Sequence, residues 1–154
     1  MENLDDARSK GGEVIEMNPA GEDFTNQQGT QKIPPTVVKN PSEDMRVLEE
    51  EIFGPLLPIK TYKDFRETID YVNSKPRALA VYYFGDNAAE ERDVLERTTS
   101  GGVCLNDVIM HIMQEDLPFG GVGPAGMGSY HGYDGFKTFS HAKSIYKQSK
   151  FDIA

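Results

Sequence analysis

The alternation of apolar runs and amphipathic stretches between residues 56 and 110 limits the folds open to this chain more than any other feature. "LLPIKTY" (56–62) has the length and apolar start of a strand. "KDFRETIDYVNS" follows and places Phe65, Ile69 and Val72 at helical spacing, one stripe toward a core. Thr61 and Asp64 precede it as a variant capping box. "RALAVYYFG" (77–85) reads as a buried strand. "NAAEERDVLERTTSGG" reads as a helix, with Asn87 as N-cap and Gly101 near its end. "GVCLNDVIM" (102–110) reads as another strand. The order strand–helix–strand–helix–strand predicts an α/β layer with parallel pairing.

The flanks are less regular. Residues 2–10, "ENLDDARSK", read as the last turns of a helix stopped by Gly11-Gly12. A helix beginning at Met1 with little apolar face of its own predicts a chain that starts in mid-domain. "EVIEM" (13–17) and "PTVVK" (35–39) read as strands, the second carrying its Pro at its first position or at an edge. Residues 18–33 are turn-rich and predict a surface excursion. "LPFGGVGPAGMGSYHGYDGF" (117–136) holds too many glycines for regular structure throughout, and "FKTFSHAKSIYKQ" (136–148) alternates as a final strand.

Composition removes several function classes. A length of 154 residues suits one domain or a piece of a larger one. The 16 Lys+Arg against 25 Asp+Glu leave a net charge of -9, which repels a phosphate backbone and argues against nucleic acid as partner. No apolar run approaches the roughly 20 residues of a membrane span, and "MENLDDARSKGG" is too polar for the apolar region of a signal peptide. Cys104 is alone, so no intrachain disulfide or CxxC cluster exists and a reducing cytoplasm is the expected location.

Several residues carry possible chemistry. Gly121, Gly123 and Gly126 satisfy G-x-G-x-x-G, but the dinucleotide fingerprint needs that pattern between a strand and a helix. Pro124 removes an amide donor there, and "MGSYHGYDGF" is no helix start. The segment therefore reads as a loop in which backbone approaches backbone. Cys104 lies between Val103 and Leu105 with no cationic neighbour in sequence, and reads as a small buried apolar residue. His111, His131 and His141 lack metal-ligand spacing, so no metal is expected, although they could meet in space. Met110, Met113 and Met127 read as packing residues.

Glu49-Glu50-Glu51 have two readings. As composition they are a solvated acidic face. As position they precede Ile-Phe-Gly-Pro, so the last acid stands where the chain turns inward. Glu51 and Phe53 are two apart and point to one side of an extended segment. A carboxylate accepts from both hydroxyls of a sugar diol, and an aromatic ring packs against a flat heterocycle. That pairing suits a ribose-linked cofactor ring.

Five segments, in order, resemble the aldehyde dehydrogenase family: "EEEIFGPLLPI", "LAVYYF", "SGGVCLND", "LPFGGVGPAGMG" and "YHGYDGFKTFSHAKSIY". The wording of "NDVIMH" and "GMGSYHG" is nearest to the class 3-like branch, and within it to coniferyl aldehyde dehydrogenases. The similarity runs from about Ala7 to Tyr146. The resemblance implies the C-terminal part of that family's α/β catalytic domain, a mixed sheet with flanking helices, over residues 1–135. Residues 136–154 would then be an oligomerisation strand and tail. It implies Glu51 as the acid holding the nicotinamide ribose hydroxyls and Phe53 as the ring beside the nicotinamide of NAD or NADP. Asn106, His111 and Phe119 would lie at the substrate pocket, and Lys143 in a strand used between subunits of a homo-oligomer, expected as a dimer.

The family oxidises an aldehyde, aromatic in this branch, to the carboxylic acid. A cysteine attacks the aldehyde, hydride passes to NAD(P), and a glutamate activates the water that releases the acid. Cys104 does not stand at the nucleophile's position. The nucleophile, the base and the Rossmann domain are expected upstream of residue 1, so no catalytic residue is assigned in this chain and the chain alone is expected to be inactive. The alternative is a non-catalytic fragment or regulatory module that pairs with an intact subunit. A piece of a larger domain also predicts sheet edges and apolar faces left without partners.

Overall fold

The computed structural model describes residues 1–25, 29–30 and 32–150. The chain divides into two compact units, Met1–Lys63 and Asp64–Ala154.

The first unit contains α1 (Glu2–Ser9), β1 (Glu13–Glu16), β2 (Thr36–Lys39), a 3₁₀ turn (Arg46–Leu48) and β3 (Leu56–Ile59). β1 pairs antiparallel with β2, and β2 parallel with β3. The order β1-β2-β3 leaves β3 at an edge, where Pro58 removes no ladder donor the sheet requires. The central strand β2 begins at Thr36, directly after Pro35, so that proline stays outside the ladder. Leu4 and Ala7 of α1 pack with Val38, Met45 and Val47, all buried. Residues 26–28 and 31, within the expected surface excursion, lie outside the described residues.

Charge ties α1 to the 3₁₀ turn. Asp6 accepts from the Arg46 backbone N–H at 2.9 Å and lies 2.9 Å from Lys10 Nζ. The Lys10 hydrogen bond, then the Arg46 amide, hold the Asp6 carboxyl below its ordinary value. A lowered folded-state pKa contributes stability that is complete above the unfolded value and is lost as pH falls through the folded one. Denaturant unfolding of the chain across an acid series is therefore expected to show falling stability below the ordinary aspartate range. Asp6→Asn is expected to flatten part of that slope, with Asp44, also held low by the Ser42 hydroxyl, retaining its own share.

The second unit contains α2 (Phe65–Ser74), β4 (Ala80–Tyr83), α3 (Ala88–Arg97), β5 (Gly102–Leu105), the single turn α4 (Met110–Met113), a 3₁₀ turn (Gly123–Ala125) and α5 (Gly132–Thr138). β4 and β5 pair in parallel, with α3 as their crossover. Ile69, Tyr83 and Val94 form the buried cluster, with Phe65, Val81, Val103 and Leu105 around it. Phe65 meets the Tyr83 ring edge-to-face at 5.8 Å. Burial, then the Glu90 carboxylate that accepts from it, raise the Tyr83 hydroxyl above its ordinary pKa. Asn87 caps α3 by accepting from Ala89 N–H.

Four expectations change. The parallel pairing exists, but β3 pairs with β2 while β4 and β5 form their own sheet. Asp64 alone caps α2, through Arg66 N–H. Thr61 instead bonds Asn40 Oδ1 through its N–H at 2.8 Å and its hydroxyl at 3.1 Å. The strand expected over 102–110 stops at Leu105, because Asn106 turns left-handed at φ 55°. The strand expected over 136–148 is not formed: α5 covers residues through Thr138, and 141–149 carry no regular structure. Alternation makes a strand only where a second strand satisfies its ladder, and no described strand of this chain does so there. Residues 151–154 of the expected tail lie outside the described residues.

Candidate functional site

The three acids before Ile52 separate in the fold. Glu50 pairs with Arg46, one turn back, at 2.8 Å. Glu49 is exposed on the surface. Glu51 makes no ion pair or side-chain hydrogen bond among the described residues, and it lines a hollow of about 400 Å³ together with Phe53. The Phe53 ring is 94% exposed and has no aromatic neighbour among the described residues. Leaving a phenylalanine in water forfeits roughly 2 kcal/mol of burial, which a core position would have recovered. An unpaired carboxylate and a bare ring thus share one open hollow. Met1, Glu2, Ile33, Arg46 and Gly54 complete much of its wall.

A second cluster forms in the other unit around Phe119. His131 stacks on it at 6.0 Å, Tyr130 meets it edge-to-face at 5.6 Å and His111 tilts against it at 6.1 Å. Tyr82 of β4 closes the far side of His111 at 5.6 Å. Phe119 and Tyr130 exchange backbone bonds of 2.8 and 2.9 Å, an isolated antiparallel bridge that closes the glycine loop. His111 is 8% exposed, and its Nδ1 and Nε2, with Nδ1 of His131, are buried without a hydrogen-bond partner among the described residues. Its ring lies on Gly102, where a Cβ would stand 2.9 Å from His111 Cδ2. His131 itself occupies φ 81°, ψ 146°, a region nearly reserved for glycine, so the loop is held against local preference.

The glycine loop behaves as its composition predicts. A Cβ on Gly120 would stand 2.0 Å from Gly128 O, one on Gly121 2.1 Å from Ala125 O, and one on Gly101 2.2 Å from Gly120 O. Backbone meets backbone at all three. Gly123–Ala125 is a 3₁₀ turn containing Pro124, with no α-helix opening on it, so the loop lacks the helix N-terminus a pyrophosphate requires.

Asn106 ends β5 and commits its side chain. Its Oδ1 accepts from Gly85 N–H at 2.9 Å, its Nδ2 donates to Gly85 O at 2.8 Å, and its own N–H donates to Tyr83 O at 2.8 Å. Cys104 is buried, as its apolar neighbours predict. The methionines are a correction: Met110, Met113 and Met127 are exposed, because no described element covers α4 or the loop at those positions. Lys143 and His141 lie exposed in the C-terminal segment. Among the described residues no group of three or more His, Cys, Asp or Glu is placed to hold a metal ion, and no helix is long and apolar enough to cross a membrane.

The structure thus brings His111 and Phe119 together, and Glu51 with Phe53, each pair within its own unit. Sequence reasoning missed Tyr130 and His131 as neighbours of Phe119, and Tyr82 as a neighbour of His111, because they come from separate stretches of chain. The one local signal was Gly132 after His131, since a left-handed glycine allows the chain to turn there. It also missed Arg46 in the wall of the Glu51 hollow.

A family model described as the aldehyde dehydrogenase family matches residues 1–145. The chain is similar to the probable coniferyl aldehyde dehydrogenase of Caulobacter vibrioides, 62% identical over 151 residues, covering 98% of this chain and 31% of that protein. It is similar to the coniferyl aldehyde dehydrogenase of a Pseudomonas species, 60% identical over 146 residues, 95% of this chain and 30% of that protein. Among solved structures, the NAD-dependent aldehyde dehydrogenase from Sinorhizobium meliloti superposes with a TM-score of 0.79 at 25% identity, over 98% of this chain and 30% of that one. The chain therefore spans just under a third of the length of the relatives it matches. Its mixed sheets and flanking helices are those of part of the family's fold, and the chain belongs to the aldehyde dehydrogenase family.

Proposed function

We propose that this chain forms the part of an NAD(P)-dependent aldehyde dehydrogenase that grips the nicotinamide riboside end of the cofactor and supports one wall of the aldehyde site. The observation that carries the reading is the unpaired Glu51 carboxylate lining one hollow with the exposed Phe53 ring. The cofactor supplies a hydride acceptor when bound. Glu51 accepts from the two ribose hydroxyls, and Phe53 packs against the ring that takes the hydride. Phe119, backed by His111, contributes an aromatic surface that suits a flat substrate. The relatives named for coniferyl aldehyde support an aromatic aldehyde oxidised to its acid. Asn106 acts through Gly85, holding the ends of β4 and β5 near that surface. In this reading the parent enzyme is a cytoplasmic homo-oligomer, a dimer joined through the segment that carries Lys143.

The nucleophile and base come from outside these 154 residues, so the chain alone is expected to form no NADH with coniferyl aldehyde and NAD or NADP. The cofactor grip is tested separately. Nicotinamide mononucleotide titrated into the chain is expected to shift the NMR signals of the Phe53 ring and the Glu51 amide. Glu51→Gln or Phe53→Ala is expected to weaken that binding about fivefold to tenfold, as for loss of a charged hydrogen bond or a ring contact. Binding that ignores both substitutions would remove the reading. A second reading, a non-catalytic module that pairs with an intact subunit, draws on the exposed Phe136, Phe139, Ile145 and Tyr146 near the C-terminus. Exchange of the chain into a full-length homologue, with no cofactor binding of its own, would favour it.

A further inference from the structure

The hollow that holds Glu51 and Phe53 is also lined by Glu2 and Glu50. Three carboxylates around one space repel a phosphorylated ligand, even with solvent screening. Among the described lining residues Arg46 is the one cationic side chain. Arg46 Nε donates to Glu50 Oε1 at 2.9 Å, Nη2 lies 2.8 Å from the same oxygen, and Nη1 donates to Glu2 Oε2 at 3.1 Å. The fork thus occupies two of the three acids and leaves the third, Glu51, without a partner among the described residues.

We propose that Arg46 is a positioning residue for the cofactor carboxylate: it draws Glu50 and Glu2 out of competition, so that Glu51 alone meets the ribose diol. Its charge also offsets the acidic wall that a phosphate-bearing nucleotide approaches. The inference rests on the reading of Glu51 and Phe53 as contacts to nicotinamide riboside.

The Arg46 side chain is not what holds the 3₁₀ turn. Its backbone N–H is bonded to Asp6 Oδ2 at 2.9 Å, and its neighbours Met45 and Val47 are buried in the core. The Arg46 pairs are themselves part-exposed, and exposed ion pairs contribute little to stability. Removing the guanidinium therefore changes the charge in the hollow while the turn remains.

The test titrates the 154-residue chain with nicotinamide riboside and with nicotinamide mononucleotide, which differ by one phosphate, reading Phe53 and Glu51 by NMR. Arg46→Met is expected to weaken the mononucleotide about tenfold and the riboside less than about threefold, a difference that follows from charge. Adding Glu50→Gln to Arg46→Met is expected to restore most of the mononucleotide affinity, because it removes the acid that Arg46 no longer holds. Arg46→Lys keeps the charge and is expected to stay within about threefold of the parent. Unchanged mononucleotide affinity in Arg46→Met overturns the proposal. So do equal losses for both probes with no recovery in the double variant, which would mark a merely structural arginine. If Arg46→Met fails to fold, Arg46→Lys and Glu50→Gln decide: the proposal then requires Glu50→Gln to strengthen mononucleotide binding, and a weakening overturns it. Should the unsubstituted chain bind neither probe, the ribose reading itself fails and takes the inference with it. That result is distinct from an Arg46→Met chain that binds normally.

Discussion

Gly120→Ala is expected to cost about 3 kcal/mol or more, the upper end of the range for overpacking, and to cripple the Asp64–Ala154 unit. The new Cβ would stand 2.0 Å from Gly128 O, 2.9 Å from Ser129 Cα and 3.0 Å from Gly128 C. All three are backbone atoms, so no rotamer change relieves the clash. The opposing strand cannot drift away either, because the paired bonds between Phe119 and Tyr130 hold it. Gly120 O is in turn the atom a Cβ on Gly101 would meet at 2.2 Å, so any shift is passed to the start of β5. Two other glycines calibrate the result. Gly128→Ala meets nothing within 4 Å but sits at φ 77°, and is expected to cost about 1 kcal/mol from backbone strain alone. Gly54→Ala has open space and no such φ, and is expected to stay within about 0.5 kcal/mol. Denaturant midpoints of the three variants check the order. A Gly120 variant no worse than Gly128→Ala would mean that close backbone approach does not hold the loop.

Asn106→Ala is expected to destabilise the chain by about 2–3 kcal/mol, from two lost hydrogen bonds and a left-handed alanine. The amide bonds both polar atoms of Gly85, and the φ of 55° is one that asparagine tolerates better than alanine. Asn106→Gly removes the strain but not the lost bonds, and is expected to recover about 1 kcal/mol of that loss. Asn106→Asp keeps an acceptor for Gly85 N–H but turns a carboxylate toward Gly85 O, and is expected to remain well below the parent despite its shape. Thermal and denaturant unfolding separate these cases. If Asn106→Ala unfolds like the parent, the amide is not a clamp and is free to serve the substrate directly.

The two largest effects differ in how far they can be read from the chain. The glycine loop was legible because its composition admits few alternatives: many glycines, with Pro124 removing an amide donor, suit neither a regular element nor a phosphate cradle and imply backbone in contact with backbone. The N-cap of α3, the strands β4 and β5 (though of β4 only Tyr83 is buried) and the α2 stripe at Phe65 and Ile69 were legible for a related reason. They rest on period and capping chemistry within a dozen residues. The Asn106 clamp was not legible, since its partner Gly85 lies 21 residues away and nothing in the intervening sequence marks the pairing.

The sequence by itself determined the family, through five segments in order, and the alternation of elements from β3 to β5. It also singled out Glu51 and Phe53, because their spacing of two is a local property of an extended chain. Only the tertiary structure decided that Glu50 pairs with Arg46 while Glu51 lines the hollow beside Phe53, since that depends on where Arg46 reaches. It decided that His111 and His131 converge on Phe119 and that β3 joins β2 instead of β4. It also left residues 141–149 outside any ladder, where alternation alone had read a strand. Local patterns set what each segment prefers, at a range of a few residues. Hydrogen-bond partners and charge pairs are chosen across tens of residues by the packing of the whole chain, and the candidate site is built from those choices.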